Sequence, residues 1–294
     1  MGSGLLICTD LDRTLIANGR QEESHGARAR FDALVSRPEI TLVYVTGRHL
    51  ELVHEASRDY RLPEPDYIIA DLGTSIYHRE SGNTWKNLDT WQSEIGRDWG
   101  NRTAADLNDA LQDLKELQLQ EESKQNRYKL SYYFSSETDS DALAAQVRKQ
   151  LASARVNARV IYSMDELRGI GLLDILPESV SKLHALQALM DLLDVAEDDV
   201  VFSGDSGNDL EVLVSTVPAV LVANASEDVK ARARHLAGEA GNSTRLYIAE
   251  GGFLGMNGCY SAGILEGVTH YHPQAVDWMQ INSTPSPHSQ PENA

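Results

Sequence analysis

The sequence predicts an α/β fold: a parallel sheet with an α+β unit inserted into it. Three observations point there. Short apolar runs rich in β-branched residues recur with helix-like segments between them, as strand–helix–strand order requires. A middle stretch is more polar and its apolar residues alternate, as in strands with one wet face. Three of the apolar runs end at turns that carry acids, glycine or a hydroxyl.

The first run, GLLICTDLDRTL from Gly4, delivers Asp10 and Asp12 to the point where it stops. Residues i and i+2 of a strand share a face, so these carboxylates crowd each other unless a proton or cation lies between them. Ile40–Val45 and Tyr67–Ala70 read as strands buried on both faces. From Glu80 the pattern changes. Leu107, Leu111 and Leu114 mark a helix, residues 129–134 a strand, Leu143, Val147 and Leu151 a second helix, and residues 158–162 another strand. The inserted unit is expected over residues 80–171, with Gly169 and Gly171 as its hinge, and the parent sheet over 1–79 and 172–275. Leu183, Leu186, Met190 and Leu193 recur at helical spacing before strands at 199–203 and 219–222. Residues 276–294, rich in Ser, Pro, Asn and Gln from about Gln280, are expected to be a disordered tail.

The 294 residues, 41% hydrophobic, suffice for a large buried core. Lys and Arg number 26 against 44 acids, a net charge of −18 with no basic run, which excludes nucleic acid as a partner class. An anionic substrate must therefore be met by a local cluster of positive groups. No stretch is long enough to span a bilayer, and the first apolar run is too short for a secretory leader. Cys8 and Cys259 are the only cysteines, and Cys8 sits where a small hydrophobe packs. A soluble, reduced, cytoplasmic protein with no membrane partner is expected.

Three further pieces join the Asp10/Asp12 pair. In Val45-Thr46-Gly47-Arg48 a strand ends in a hydroxyl, a glycine and a guanidinium, a set suited to an oxyanion near a helix start. Lys182 opens an amphipathic helix, a position the macrodipole disfavours for a cation. In GDSGND, residues 204–209, Asp205 and Asp209 flank Ser206 and Asn208, a hard all-oxygen set suited to Mg²⁺. In an open α/β sheet the strand ends face one crevice, so the pieces converge on a single point.

In this order, Asp10-x-Asp12-x-Thr14-Leu15, Thr46-Gly47-Arg48, Lys182 and GDSGND resemble the haloacid-dehalogenase superfamily of phosphohydrolases. That resemblance implies a Rossmann-like core with an inserted α+β cap domain of type IIB. PDYIIA at 65–70, GTSIY at 73–77, KLSY at 129–132, LDILP at 173–177, VANA at 222–225 and SAGILE at 261–266 are similar to the sucrose-phosphatase group, over residues 4–272 in all. The resemblance implies Asp10 as nucleophile, forming an aspartyl-phosphate, and Asp12 as general acid then base with a pKa raised by its acidic neighbours. It implies Mg²⁺ on Asp10, the Asp12 backbone carbonyl and Asp205, with Ser206 and Asp209 in support. Thr46, Gly47, Arg48, Lys182 and Asn208 would meet the phosphate; Lys129, Ser131 and Tyr132 would meet the sugar, and Asp174 and Asn224 are sugar or structural contacts.

The substrate so implied is sucrose 6-phosphate. Mannosylfructose phosphate, glucosyl- or mannosylglycerate phosphate, and a phosphomannomutase-like phosphotransfer are the alternatives. A monomer associating with a sucrose-phosphate synthase is expected, and a catalytically silent regulatory role is disfavoured because all four motif acids are present. Arg13 and Leu183 stand where relatives often carry glycine, and Arg13 would either steer an anion or face solvent. Residues 251–258 form a glycine-rich loop, a substrate gate or a plain surface connection. His270 and His272 are read as structural.

Overall fold

The computed structural model describes residues 4–80, 84–165 and 168–280. The chain runs through β1 (Leu5–Thr9), α1 (Ala27–Val35), β2 (Ile40–Val45), α2 (Leu50–Asp59), β3 (Tyr67–Ala70), β4 (Ser75–Arg79) and β5 (Trp85–Asn87). Next come α3 (Asp89–Ile95), α4 (Ala104–Leu111), β6 (Gln118–Leu119), β7 (Leu130–Ser135), α5 (Ser140–Ser153), β8 (Ala158–Asp165) and β9 (Ile170–Pro177). Then follow α6 (Lys182–Leu193), β10 (Val200–Gly204), α7 (Leu210–Leu213), β11 (Ala219–Leu221), α8 (Glu227–Glu239), β12 (Leu246–Ile248) and α9 (Ser261–Tyr271).

The large sheet has eight strands in the order β12-β11-β10-β1-β2-β3-β4-β5, parallel as far as β3 and antiparallel beyond it. β1 lies at its centre because it can be buried on both faces. Leu6 and Cys8 join the cluster that holds α6, while Leu5 and Ile7 join the cluster that holds α1 and α9. The thiol of Cys8 is accordingly free and buried. Thr9 is in register with Tyr44 and Ser203, so β1, β2 and β10 end level and their following residues share one edge.

The small sheet runs β6-β7-β9-β8, all antiparallel. Alternation gives it two unlike faces. Leu130, Tyr132, Phe134, Val160, Leu173 and Ile175 pack with Leu107, Leu111, Leu143, Val147 and Leu151 of α4 and α5. Lys129, Ser131 and Asp174 stand on the opposite face.

The expected boundaries move. β5 pairs with β4 and carries the large sheet to Asn87, past residue 79. β9 pairs with both β7 and β8, so the small sheet keeps the chain to Pro177, past residue 171. Its Leu173 and Ile175 bury against the layer of α4 and α5. Gly169 and Gly171 are not a hinge between units. They lie in the β8–β9 hairpin, where Gly169 has φ +64° and a Cβ on Gly171 would sit 2.2 Å from the Phe134 ring. Residues 273–279 form a 3₁₀ turn with Ala275 and Met279 buried, so the expected tail begins later; residues 281–294 lie outside the described residues. No helix among the described residues is long and apolar enough to cross a membrane.

Candidate active site

The level strand ends place Asp10 after β1, Thr46 after β2 and Asp205 after β10. Each is held by its neighbour strand or turn: the Asp10 N–H donates to the Ser203 carbonyl at 2.9 Å, and the Thr46 N–H donates to the Ile69 carbonyl at 2.8 Å. Lys182 arrives from α6, whose Ser181 N-cap accepts from the His184 N–H. Burial of Ala185, Leu186, Leu189 and Met190 anchors that helix, at about 1.5–3 kcal/mol for each large side chain. The Lys182 ammonium, itself buried, donates to Asp10 Oδ1 at 2.8 Å, Asp209 Oδ1 at 2.7 Å and Asn208 Oδ1 at 3.3 Å. Desolvating a lysine costs several kcal/mol, and two carboxylates with good geometry offset it.

Asp209 turns the last motif into a rigid cradle. Its Oδ2 accepts the backbone N–H groups of Asp205 and Ser206, each at 3.1 Å, and the Ser206 hydroxyl at 3.3 Å. Gly204 permits this approach, since a Cβ there would lie 2.6 Å from Asp209 Cγ. Oxygens of Asp10, Asp205 and Asp209 lie within 4.8 Å of one another. Asp205 Oδ1 accepts from the Thr14 hydroxyl at 3.4 Å, but Oδ2 is buried without a hydrogen-bond partner. Hard oxygen donors with one orphaned carboxylate oxygen fit a divalent cation such as Mg²⁺. Asp10 and Asp205 would hold it. Asp209, with both oxygens engaged, braces them, and Ser206 acts as a cap that also donates to Asn208 Oδ1.

Electrostatics separate the acids. Burial, reinforced by Asp209 and Asp205, pushes Asp10 up to about 7 against the pull of Lys182. Burial and then Asp209 push Asp205 up to about 6, with Arg13 and Lys182 opposing. The Lys182 pKa is raised: burial alone would lower it, but Asp10 and Asp209 outweigh burial.

Asp12 departs from expectation. Burial tends to raise it, yet hydrogen bonds and charge from Arg48, then Asn18, hold it below the ordinary carboxylate value. Arg48 donates from Nε to Oδ2 at 2.7 Å and from Nη2 to Oδ1 at 2.6 Å; Asn18 Nδ2 donates to Oδ1 at 2.8 Å. The crowding foreseen between Asp10 and Asp12 is thus relieved by a guanidinium fork, and the Asp12 side chain stands apart from the group of three acids. Arg48 grips a carboxylate here, beside Thr46 and Gly47. The helix expected at this motif starts later, at Leu50.

These residues line an open cavity of about 300 Å³ with Asp10, Asp12, Arg13, Thr46, Gly47, Arg48, Asp205, Ser206 and Asn208 on its walls. A larger cavity of about 700 Å³ lies elsewhere, between α3 and α6, and none of the residues of the acid crevice lines it.

The polar face of the small sheet meets the β3–β4 turn beside this site. Lys129 Nζ donates to the Lys124 carbonyl at 3.0 Å and lies 3.7 Å from Asp71 and 3.8 Å from Asp174. Ser131 Oγ donates to Asp174, and Asn126 Nδ2 donates to Thr74 Oγ1 at 2.8 Å across the two sheets. Asp71 was not singled out in the sequence. Its signal was available: it follows β3 directly, as Asp10 follows β1. The Asp71 N–H donates to the Arg48 carbonyl at 3.0 Å, tying this turn to the loop that follows β2.

Tyr132 and Asn224 make structural contacts, a departure for Tyr132 and one of the two roles expected for Asn224. Tyr132 points into the α4 layer, where its hydroxyl donates to Asn108 Oδ1 at 2.8 Å. Asn224 is used by backbone: Nδ2 donates to the Arg13 carbonyl at 2.6 Å and Oδ1 accepts the Tyr260 N–H at 2.9 Å. Loop 251–258 is tethered at both ends. Glu266 accepts the Glu250 and Gly251 N–H groups at 2.9 and 3.0 Å, and the Asn257 N–H donates to Ser24 Oγ at 2.9 Å. His270 stacks on Tyr247 with centroids 4.3 Å apart, a packing role as expected.

Residues 3–272 match the model of the sucrose-6F-phosphate phosphohydrolase family. The chain is 48% identical over 281 residues to a HAD-like hydrolase of Nitrosococcus oceani, covering 95% of this chain and 75% of that one. It is 31% identical to mannosylfructose-phosphate phosphatase of Agrobacterium fabrum, over 75% of this chain and 83% of that protein. Sucrose-phosphatase 1 of Nicotiana tabacum is 30% identical over 76% of this chain, but the match spans only 51% of the tobacco protein. The sucrose-phosphatase of Synechocystis, solved with sucrose and phosphate, superposes with a TM-score of 0.66 at 23% identity, covering 91% of this chain and 98% of that one, and shows the shared fold. A match this continuous means that the chain belongs to the sucrose-6F-phosphate phosphohydrolase family and is a phosphoric monoester hydrolase of sugar phosphates.

Proposed function

We propose that the protein releases phosphate from sucrose 6-phosphate through an aspartyl-phosphate on Asp10. The observation that carries the mechanism is the bridge from Lys182 to Asp10 and Asp209, which fixes one carboxylate at the crevice floor with a cation beside it. Charge neutralisation and in-line positioning are what phosphoryl transfer chiefly needs. Mg²⁺, bound through Asp10 and Asp205, would supply further positive charge at the phosphoryl oxygens. Thr46, Gly47, Asn208 and Lys182 hold those oxygens.

Asp10 attacks phosphorus, the bond from phosphorus to the sugar oxygen breaks, and that oxygen takes a proton from Asp12. A water then gives a proton back to Asp12 and attacks phosphorus, releasing Asp10 and inorganic phosphate. Arg48 and Asn18 favour the ionised form of Asp12, which suits the second step. In the first step Asp12 enters protonated, so the Arg48 fork opens as substrate enters.

Division into a core and a cap follows the two sheets, with the cap supplying sugar recognition through Lys129, Ser131 and Asp174, joined by Asp71 of the core. The burial of Lys129 and Ser131, both hydrogen-bonded, on the face turned to the β3–β4 turn supports that role. The similarity to mannosylfructose-phosphate phosphatase favours a second substrate of the same class, another disaccharide phosphate. A cytoplasmic setting beside a sucrose-phosphate synthase, the enzyme type that makes such a phosphate, completes the reading.

The test is phosphate release from a panel of sucrose, mannosylfructose, glucosylglycerate and hexose phosphates in MgCl₂, with Asp10→Asn as control. Sucrose 6-phosphate should lead in kcat/KM and the variant should be inactive. A lead for mannosylfructose phosphate would move the assignment to that substrate, and a lead for hexose monophosphates would end the disaccharide reading.

A further inference from the structure

We propose that Arg13 is a resident counter-ion of the cation site, holding Asp205 in the metal-free protein and giving way when a divalent cation binds. This rests on the reading of Asp10 and Asp205 as cation ligands. Arg13 Nε lies 3.4 Å from Asp205 Oδ2, the same oxygen that is buried and lacks a hydrogen-bond partner. The contact is therefore Coulombic, without the directional bond that Arg48 makes to Asp12.

The two partners differ in freedom. The Asp205 side chain is 3% exposed and its turn is tied to Asp209, whereas the Arg13 side chain is 50% exposed. Only the guanidinium can leave. Its backbone is pinned: the Arg13 N–H donates to Asn18 Oδ1 at 2.9 Å and its carbonyl accepts from Asn224 Nδ2 at 2.6 Å. That pinning also gives Asn224 a structural role, tying Arg13 to the Tyr260 backbone. Arg13 has φ +60°, a left-handed conformation that costs a residue with a Cβ about 1–2 kcal/mol and glycine almost nothing. A glycine would suit the backbone better, so the side chain is what sets this position apart.

A guanidinium and a divalent cation cannot share one carboxylate oxygen. While Arg13 occupies Asp205, the binding-competent fraction is reduced and the apparent affinity falls by that fraction. A half-exposed ion pair, with added repulsion of the incoming cation, weakens binding by about three- to tenfold. Cation binding would also release a positive charge to the mouth of the crevice, where an anionic substrate enters.

The experiment is calorimetric titration of metal-stripped protein with MgCl₂, without substrate. Arg13→Gln and Arg13→Gly should bind Mg²⁺ about three- to tenfold more tightly than wild type, and Arg13→Lys, which keeps the charge, should stay near it. Metal-free Arg13→Gln should also melt below metal-free wild type, a gap that closes in saturating MgCl₂. Equal affinities of wild type and Arg13→Gln would overturn the inference and leave the cation site standing. Absence of Mg²⁺ binding in both wild type and Asp205→Asn would overturn the cation reading and the inference with it.

Discussion

The crevice of the large sheet and the polar face of the small sheet are built by different rules. In the crevice, Asp10, Thr46 and Asp205 are placed by strand register, and each buried charge there is answered by another within about one hydrogen bond of it. On the small sheet, Lys129, Ser131 and Asp174 are placed by alternation, and their partners Asp71 and Lys124 come from turns outside those strands. On the proposed function, geometry set by register serves any phosphate that enters. Geometry set by two sheets meeting depends on how they meet, which is where choice of sugar can reside.

Replacing residues on each side should separate these roles. Lys182→Met should have the largest effect, because it leaves Asp10 and Asp209 buried without their counter-ion. A loss of at least ~100-fold in kcat and about 3–5 kcal/mol in urea-unfolding free energy of the metal-free protein is expected. Retention of wild-type stability would mean that the bridge is not formed.

Lys129→Met should act on one side of the comparison only. It should raise KM for a disaccharide phosphate about tenfold, the loss of one charge-assisted contact, and leave kcat/KM for p-nitrophenyl phosphate within about twofold. An equal loss on both substrates would make Lys129 part of the shared phosphate machinery.

The smallest effect expected is on the pH dependence of stability. Asp10 is pushed up to about 7 and Asp205 to about 6, so between about pH 4 and 7 the folded state binds more protons there than the unfolded chain. Stability of the metal-free protein from these groups therefore falls as pH rises through that window. Asp12 has the opposite sign: its stabilisation is complete above the unfolded value near ~4 and is lost as pH falls through its depressed folded value. Melting from pH 5.5 to 7.5 in EDTA should decline less steeply for Asp205→Asn than for wild type, and MgCl₂ should flatten the wild-type slope. A steeper decline in the variant would contradict the assigned shift.

The same contrast governs what could be read from sequence. Asp10, Thr46, Lys182, Asp205 and Asp209 were legible because each sits at the end of an apolar run or the start of an amphipathic helix, and parallel strands ending level must bring them together. The Arg48–Asp12 fork was not, since pairing across 36 positions depends on rotamers that spacing does not encode. Tyr132 and Ser131 are adjacent in sequence yet face opposite sides of β7, a parity that needs the register with β9 to resolve. β9 fell on the wrong side of the expected boundary at residue 172, because only its pairing with β7 and β8 places it in the small sheet. Asn224 looked like a ligand group, but its partners are backbone atoms of Arg13 and Tyr260, far away in the chain.

The most direct test of the central claim is trapping of the covalent intermediate. Acid quench of the enzyme during turnover of ³²P-labelled sucrose 6-phosphate should leave base-labile label on the tryptic fragment ending at Arg13, and none in Asp10→Asn. Label that persists in Asp10→Asn, or rapid turnover with no protein-bound phosphate at any quench time, would contradict Asp10 as the attacking group.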